Sequence, residues 1–422
     1  MLSIGLMSGT SMDGIDAALL ETDGTPHVIN ELGHTSITYS AAFRTLLKAA
    51  EYAIKQTKGN LAEANQHYEK LMPAYLCKEL HILPEKIANT LHQLKAYLKL
   101  DSAEPIKLDH IILHSTKLHE TCVNQLLDQT GYQSNQIDVV GYHGQTLLHW
   151  PQNKLSIAIG DGQYLANQLG IKVVNDFRSR DVAAGGQGAP LAPLYHQALA
   201  IRDGRMPLAV INCGGIANVT LINNTNETHL IGFDTGPGNA LVDRLVRQRT
   251  QGAEQMDVDG HYGKLGQVNE SVLKALYEKC IQHDYFKQPP PKSLDYQDMH
   301  LIPELATLSL PDACRTLEAF TADTIVNSLD LVTSELPNQW VLSGGGWHNP
   351  VIVAELKQRL QHKWGNLIRV YQANEIGWNA KAMEAQLFAY LAVRSLKNEP
   401  ISFPNTTRVP MAMTGGSLYW PA

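Results

Sequence analysis

The chain has 422 residues, enough for two to three domains with a hydrophobic core in each. Its 34 Lys and Arg residues against 41 Asp and Glu residues give a net charge of −7, which argues against a nucleic acid or an anionic membrane as the main partner. A hydrophobic share of 44% with 18% charged residues is typical of a globular protein and excludes a disordered one.

Elements in the first half can be predicted from periodicity and turn residues. An apolar strand and an alternating strand flank a Gly-rich turn, and Asp23-Gly24 leads into a third strand. Ser40 and Asn60 are suited to N-cap two helices of a helical insertion, and Gly131 ends a later helix. The predicted ranges are strands over 2–7, 15–21, about 27–39 and 137–142, an insertion over about 40–110, and a helix over about 118–130.

The second half follows the same plan, with strands predicted over 207–213, 219–223, 229–233 and 340–342, and a C-terminal helix over about 379–396. Gly9 and Gly214 lie 205 residues apart, and Gly144 and Gly345 lie 201 apart. Two similar offsets predict two structurally equivalent halves that face each other across a cleft, with chance coincidence as the alternative.

Three Gly-rich turns, at 9–14, 214–218 and 343–346, are candidates for phosphate binding. Glycine lets a main chain approach a phosphate closely, and a tight turn leaves N–H groups outside the strand ladder. One such turn is common in any hairpin, but three at matching places favour a nucleotide held between two lobes. The chain has no GxxxxGK[ST] loop and no GxGxxG after its first strand.

Long motifs in this chain resemble those of the anhydro-N-acetylmuramic acid kinases, which belong to the actin/hexokinase/Hsp70 superfamily. They are GLMSGTSMDGID (5–16), GYHGQT (141–146), IGDG (159–162), NDFRSRDVAAGGQGAPL (175–191), NCGGIAN (212–218), FDTGPGN (233–239), PPPKS (289–293) and SGGGWHN (343–349). The resemblance spans nearly the whole chain.

This resemblance implies an α/β fold with two duplicated ribonuclease-H-like lobes around a central cleft. We expect residues 1–205 and about 376–422 to form the first lobe, and 206–375 to form the second. It also implies ATP and Mg²⁺ as cofactors, a small-molecule sugar as substrate and a homodimer as the assembly.

The implied reaction opens a bridged sugar. ATP and water would convert 1,6-anhydro-N-acetylmuramic acid into N-acetylmuramate 6-phosphate and ADP, in peptidoglycan recycling and amino-sugar catabolism. Asp181 is the expected catalytic base, because it follows a predicted strand, precedes a loop of small residues and lies in the family's RDVAAGGQGAP block. The alternatives for Asp181 are a structural aspartate in a turn or an ion pair with Arg178 or Arg180.

The remaining expected site residues are divided between nucleotide and sugar. Those expected to bind the nucleotide are Gly9, Thr10, Ser11, Met12, Asp13, Gly14, Ile15, Asp16, Gly214, Gly215, Asn218, Gly344, Gly345 and Gly346. Those expected to bind the sugar are Asp13, His143, Gln145, Asp161 and Glu318. The alternative is a structural role for His143, Gln145 and Asp161, and a solvated helix face for Glu318. Lys292 could meet a phosphate or a carboxylate, or be exposed.

Two departures from the family pattern affect these expectations. The superfamily's metal-handling aspartate is replaced by Met7, so magnesium must be held elsewhere, with Asp13 or Asp234 acting through water as candidates. Leu294-Asp295-Tyr296 stands where the family has Thr-Gly-Arg, which leaves the role of that segment open.

The sequence leaves two rival functions open. The rivals are a kinase for another sugar and a nucleotide-gated clamp or filament, although the latter needs an appended domain or polymer contacts. The chain has no spanning apolar run, no signal-peptide pattern and no CxxC among its five cysteines. We therefore expect a cytoplasmic protein with reduced thiols, no membrane contact and no cysteine metal site.

Overall fold

The computed structural model describes residues 1–9, 11–281, 284–332, 335–365 and 367–422, and of Gln297 the main chain only. The chain divides into two compact units. Unit 1 comprises Met1–Gly188, Glu384–Ile401 and Met413–Ala422, and unit 2 comprises Ala189–Met383 and Ser402–Ala412. No helix among the described residues combines the length and the apolar character needed to cross a membrane.

Unit 1 is built on a seven-stranded sheet. Its strands are β1 (Leu2–Ser8), β2 (Gly14–Thr22), β3 (Ile29–Thr38), β4 (Val139–Trp150), β5 (Leu155–Ile159), β6 (Val173–Asn175) and β12 (Ser417–Tyr419). The order is β12-β6-β4-β1-β2-β3, with β5 paired to β4 outside this path. Strands β1, β2 and β3 are antiparallel, whereas β1 pairs with β4, and β4 with β6, in parallel.

The helices of unit 1 are α1 (Ala41–Gln56), α2 (Leu61–Lys78), α3 (Pro84–Tyr97), α4 (Leu108–Thr130), α5 (Gly162–Leu169), α6 (Ser179–Ala183) and α12 (Met383–Leu396). The Ser40 side chain accepts the Phe43 N–H, and the Asn60 side chain accepts the Glu63 N–H, so both predicted N-caps are confirmed. Gly131 ends α4 in the left-handed conformation, with φ +76°.

Unit 2 has a five-stranded sheet of β7 (Leu208–Cys213), β8 (Ile216–Ile222), β9 (Ile231–Pro237), β10 (Gln339–Ser343) and β11 (Arg369–Gln372). The order is β11-β10-β7-β8-β9, with β7, β8 and β9 antiparallel and the remaining pairs parallel. Its helices are α7 (Ala192–Arg202), α8 (Ala240–Arg249), α9 (Glu270–Lys279), α10 (Leu310–Ser328), α11 (Pro350–Trp364) and α13 (Pro404–Thr407).

The two sheets share one topology. Counting strands from the start of each unit, and leaving out β5 and β12, both follow the order 3-2-1-4-5 with the same directions. The predicted duplication and the ribonuclease-H-like α/β class are therefore confirmed. Each glycine turn that connects the first two strands, β1–β2 and β7–β8, occupies the same place in its sheet.

The units divide at different residues from those expected. Unit 2 begins at Ala189 rather than after 205, and the chain returns to unit 1 at Glu384 rather than at about 376. Helix α7 explains the first difference, because His196 bonds Thr220 of β8 and the Gln197 side chain donates to the Asn224 carbonyl.

Candidate active site

The β1–β2 turn of unit 1 is fixed by hydrogen bonds to the Gly9 carbonyl. The Met12 N–H donates to it at 3.1 Å, with Met12 at φ +54°, and the Gln145 Nε2 donates to it at 2.8 Å. Gln145 is fully buried, so its amide supports the turn from inside the unit, and its Oε1 atom has no hydrogen-bond partner. Predicted ligand Thr10 lies outside the described residues.

Only some side chains of this turn are accessible. Met12 and Ile15 are buried, and a Cβ on Gly14 would lie 2.3 Å from the Ile37 carbonyl, so Gly14 is needed for strand packing. Asp13 is exposed and accepts the Ser11 hydroxyl at 2.8 Å, whereas Asp16 is half-buried. Met12, Gly14 and Ile15 can therefore offer a ligand only main-chain groups.

Glu384, at the start of α12, adds a carboxylate to this region, and sequence reasoning missed it. Its side chain is exposed, yet desolvation by the surrounding protein raises the pKa of its carboxyl group. The negative charges of Asp16 and Asp13 raise this pKa further. The positive charge of Arg178 opposes the rise. The first glycine turn therefore borders a group of carboxylates and one arginine.

Asp181, the predicted base, lies in α6 and is 3% exposed. The Gly188 N–H donates to its Oδ1 at 2.6 Å, and a Cβ on Gly186 would lie 2.1 Å from the same oxygen. The neighbouring residues 183–185 are exposed. The carboxylate is therefore buried, two residues before an exposed segment, and the missing Cβ of Gly186 gives it room.

His143 and Asp161, predicted sugar ligands, have partners within unit 1. The His143 Nδ1 lies 2.8 Å from the Gly144 carbonyl, and its Nε2 lies 3.3 Å from the Arg178 Nε. Asp161 accepts the Tyr164 N–H at 2.9 Å as the N-cap of α5. These contacts agree with the structural alternative for both residues. Among the described residues, Asp161 has no contact with the side chain of another predicted site residue.

In the β7–β8 turn of unit 2, more main-chain N–H and carbonyl groups are hydrogen-bonded within the unit than we expected. The Gly214 N–H donates to the Ile216 carbonyl at 3.1 Å, so this amide is not left outside the hydrogen bonding of the hairpin. The carbonyls of Gly214 and Gly215 accept N–H groups of Asn239 and Gly238, just before α8. Asn218 is half-buried and lies opposite Asp234 on β9.

The third glycine turn meets this second turn at Cys213. Gly344 has φ +96°, and a Cβ there would lie 2.6 Å from both the Asn212 Oδ1 and the Cys213 carbonyl oxygen. A Cβ on Gly346 would lie 2.5 Å from the Cys213 sulfur, whereas one on Gly345 would meet nothing within 4 Å. Packing therefore explains two of these glycines, and Gly345 has open space beside it.

Glu318 of α10 is fully buried in unit 2. The Asn349 Nδ2 donates to its Oε1 at 2.6 Å, while its Oε2 has no hydrogen-bond partner and lies where a Cβ on Gly263 would clash. Burial, reinforced by nearby Asp257, raises the pKa of Glu318 to about 8. Glu318 is therefore mostly protonated at neutral pH.

Lys292 is neither exposed nor paired closely with an anion. It is 4% exposed, its Nζ donates to the Tyr285 carbonyl at 3.0 Å, and it lies 4.5 Å from the centre of the Tyr285 ring. Burial lowers its pKa to about 8, although the charge of Asp234 opposes the shift. The contacts explain Lys292 as a buried residue of unit 2.

The two candidate magnesium ligands, Asp13 and Asp234, differ in their exposure. Among the described residues, no group of three or more His, Cys, Asp or Glu side chains is arranged to hold a metal ion. Mg²⁺ commonly keeps several waters and takes only one or two carboxylates besides substrate phosphates. The exposed Asp13 carboxylate fits that requirement better than Asp234, which is 8% exposed and accepts the Leu294 N–H at 2.9 Å.

Comparison with known proteins agrees with these motifs. The sequence profile of the anhydro-N-acetylmuramic acid kinase family matches residues 73–421. A protein of that name from Rhizorhabdus wittichii is 39% identical over 422 residues, covering 100% of this chain and 99% of its own length. Another from Rhodospirillum rubrum is 40% identical over 422 residues, covering 100% of this chain and 94% of its own length.

Similarity to solved structures is more remote. The activator of 2-hydroxyisocaproyl-CoA dehydratase from Clostridium difficile, with bound ADPNP, is 11% identical with a TM-score of 0.41. The match covers 94% of this chain and 96% of that one, and it says nothing about activity. The family profile and the full-length relatives are sufficient to conclude that the chain belongs to the anhydro-N-acetylmuramic acid kinase family.

Proposed function

We propose that this kinase uses ATP and water to open the 1,6-anhydro ring of 1,6-anhydro-N-acetylmuramic acid and phosphorylates O6. The products are N-acetylmuramate 6-phosphate and ADP, in cell-wall recycling and amino-sugar catabolism. Family membership supports a kinase for this sugar and the use of ATP. The observation that carries the chemical step is the buried Asp181 carboxylate, held by the Gly188 N–H and close in the chain to the exposed residues 183–185.

Asp181 acts as the general base in this proposal. It takes a proton from a water molecule whose oxygen forms a bond to C1 while the C1–O6 bond breaks. The O6 atom then bonds to the γ-phosphorus of ATP, and the bond from that phosphorus to the ADP oxygen breaks. The water oxygen therefore remains on C1, and the bridging oxygen carries the phosphate.

The glycine turns supply the proposed nucleotide contacts. In unit 1, the main chain from Gly9 to Asp16 and the Ser11 side chain bind phosphate oxygens, while in unit 2 Gly214, Gly215, Asn218 and the turn at Gly345 contribute. Asp13 would hold Mg²⁺ through water, and the ion, when bound, neutralises phosphate charge. The cytoplasmic location and the homodimer are also part of this proposal.

Replacing Asp181 with Asn tests the assignment of the base. The amide keeps the shape of the carboxylate and cannot accept the proton, so we expect kcat to fall at least about 1,000-fold while ADP binding stays within threefold. Asp138→Asn makes the same change at a carboxylate that accepts the Leu2 N–H, and it should leave kcat nearly unchanged. Activity of Asp181→Asn within tenfold of the unsubstituted enzyme contradicts the proposal.

The sugar is tested by comparing phosphate transfer to three acceptors at matched concentrations. We expect kcat/KM to be highest for 1,6-anhydro-N-acetylmuramic acid, above N-acetylmuramate and glucose. A clear preference for either acceptor with a free 6-hydroxyl would identify a kinase for another sugar.

A further inference from the structure

Arg178 lies three residues after the end of β6 and joins the predicted site residue His143 to Gly188 within unit 1. It is half-buried, and its guanidinium has hydrogen bonds on two sides. On one side the Nε and Nη2 atoms lie 3.3 and 3.2 Å from the His143 Nε2. On the other side the Nη1 donates to the Gly188 carbonyl at 2.7 Å.

The contacts of His143 fix which ring nitrogen carries the proton. The Gly144 carbonyl oxygen, 2.8 Å from Nδ1, can only accept, so Nδ1 is the donor. The Nε2 atom of the neutral ring is then an acceptor, and it faces the donors of Arg178. Burial, with the charge of Arg178 second, lowers the pKa of His143 to about 3, so the ring stays neutral across the physiological range.

Gly188 connects Arg178 to Asp181 through two hydrogen bonds of its main chain. Its carbonyl accepts from Arg178, and its N–H donates to the Asp181 Oδ1 at 2.6 Å. It has φ +67°, and a Cβ there would lie 2.5 Å from the Val182 side chain, so other residues are strained at this position. The loop that places the catalytic carboxylate is therefore tied to the β4 strand through Arg178 and His143.

We propose that Arg178 is a positioning residue for Asp181, and that His143 acts by directing Arg178 rather than by binding the sugar. The neutral imidazole holds the guanidinium against the Gly188 carbonyl, and the Gly188 N–H then sets the orientation of the carboxylate. This inference rests on the proposed role of Asp181 as the base.

Steady-state kinetics on four variants of the full-length enzyme tests the proposal. A misplaced catalytic group can cost about 100-fold in rate, so we expect Arg178→Gln to lower kcat by about that factor, with both KM values within threefold. Arg178→Lys should also lose at least about tenfold, because an ammonium cannot reproduce the planar donors that meet both acceptors. This second variant tests the proposal if Arg178→Gln does not fold.

Two substitutions at His143 separate positioning from sugar binding. The Gln side chain can place an acceptor oxygen near the position of Nε2, whereas the shorter Asn side chain cannot reach Arg178. We expect His143→Asn to lower kcat about 10- to 100-fold, as for loss of a hydrogen bond to a charged group, and His143→Gln to recover at least half of that loss on a logarithmic scale. His196→Asn removes another buried neutral histidine, in unit 2, and should lower Tm while leaving kcat within twofold.

Three results would overturn the inference. One is Arg178→Gln with kcat within threefold of the unsubstituted enzyme. Another is a rise in the sugar KM of both His143 variants at unchanged kcat, which would make His143 a sugar ligand. The third is equal loss of kcat in His143→Asn and His143→Gln. If Asp181→Asn is active, the proposed base is wrong, whereas an inactive Asp181→Asn with a normal Arg178→Gln rejects only the inference.

Discussion

Two adjacent glycines next to Asp181 differ sharply in their surroundings. A Cβ on Gly186 would lie 2.1 Å from the Asp181 Oδ1, whereas one on Gly185 would meet no atom within 4 Å. Gly185 has φ +96°, so a side chain there costs backbone conformational energy without touching the carboxylate. Substitutions at these two glycines can therefore distinguish displacement of the base from loss of stability.

We predict that Gly186→Ala lowers kcat by about 100-fold, because the added methyl group pushes the Asp181 carboxylate out of place. Gly185→Ala should cost about 1–2 kcal/mol of unfolding free energy and keep kcat within threefold. Enzyme assays and urea denaturation of both variants provide the measurement. Equal kcat values for the two variants would show that the position of Asp181 does not limit the reaction.

At the scale of elements, helix α12 is seated on the unit 1 sheet through glycines. A Cβ on Gly5 of β1 would lie 1.8 Å from the Ala385 carbonyl oxygen, and one on Gly141 of β4 would lie 2.0 Å from the Phe388 carbonyl oxygen. The Ser3 hydroxyl donates to the Ala389 carbonyl at 2.8 Å. The main chain of the helix therefore approaches the main chain of the strands directly.

We predict that Gly5→Ala destabilises the protein by about 3 kcal/mol or more, because overpacking forces the helix away from the sheet. Gly131→Ala is the matched control, since this C-cap has φ +76° and open space, and it should cost about 1 kcal/mol. Urea denaturation gives both values. A smaller loss for Gly5→Ala than for Gly131→Ala would contradict the packing described for α12.

The sequence predicted the elements that depend on local signals. The strands over 2–7 and 15–21, the N-caps Ser40 and Asn60, and the end of a helix at Gly131 are confirmed. Long-range packing set the features that were missed: β4 continues to Trp150 because β5 pairs with it, and short β12 forms only against β6.

The site could be predicted where motifs are long, and less well where contacts join distant residues. The family and its enzyme class, a phosphotransferase with an alcohol acceptor, are confirmed by the comparisons. The positions of Arg178 and Glu384 could not be predicted, because nothing local places Arg178 between His143 and Gly188, or Glu384 near Asp16. The hydrogen bond from the Gly214 N–H to the Ile216 carbonyl could not be predicted from the turn residues alone.

For the whole molecule, buried titratable groups give the two units opposite responses to acid. In unit 1, burial lowers the pKa of His119 and His149 to about 4 and of His143 to about 3. The folded unit therefore cannot take the protons that these histidines bind when unfolded below about pH 6.5, so its stability falls as the pH falls. In unit 2, His196 behaves in the same way, with a pKa near 4.

Two acids in unit 2 oppose this effect. Burial raises the pKa of Glu318 to about 8 and that of Asp243 to about 6, so the folded unit holds protons that the unfolded chain has released. Their contribution is present at low pH and is lost as the pH rises through these values. When the pH falls from 7.5 to 5.5, protonation of Glu318 adds about 2 kcal/mol to the stability of the folded unit, while each buried histidine lowers that stability by about 1 kcal/mol.

We therefore predict that acidification from pH 7.5 to 5.5 lowers the stability of unit 1 and raises that of unit 2, because the gains at Glu318 and Asp243 exceed the loss at His196. Hydrogen exchange, corrected for the intrinsic rate at each pH, should show weaker protection of α4 and stronger protection of α10. Glu318→Gln should remove the gain in unit 2, since the amide cannot titrate. Equal losses in α4 and α10 of the unsubstituted enzyme would contradict this prediction.

Product analysis after turnover in ¹⁸O-labelled water tests most directly whether one enzyme couples hydrolysis of the bridge to phosphoryl transfer. Preformed N-acetylmuramate 6-phosphate, incubated in the same water, controls for exchange at C1. The account predicts one labelled oxygen on C1, an unlabelled phosphoryl group and no free N-acetylmuramate during a single turnover. Label in the phosphate, or an unlabelled C1 hydroxyl, would contradict it.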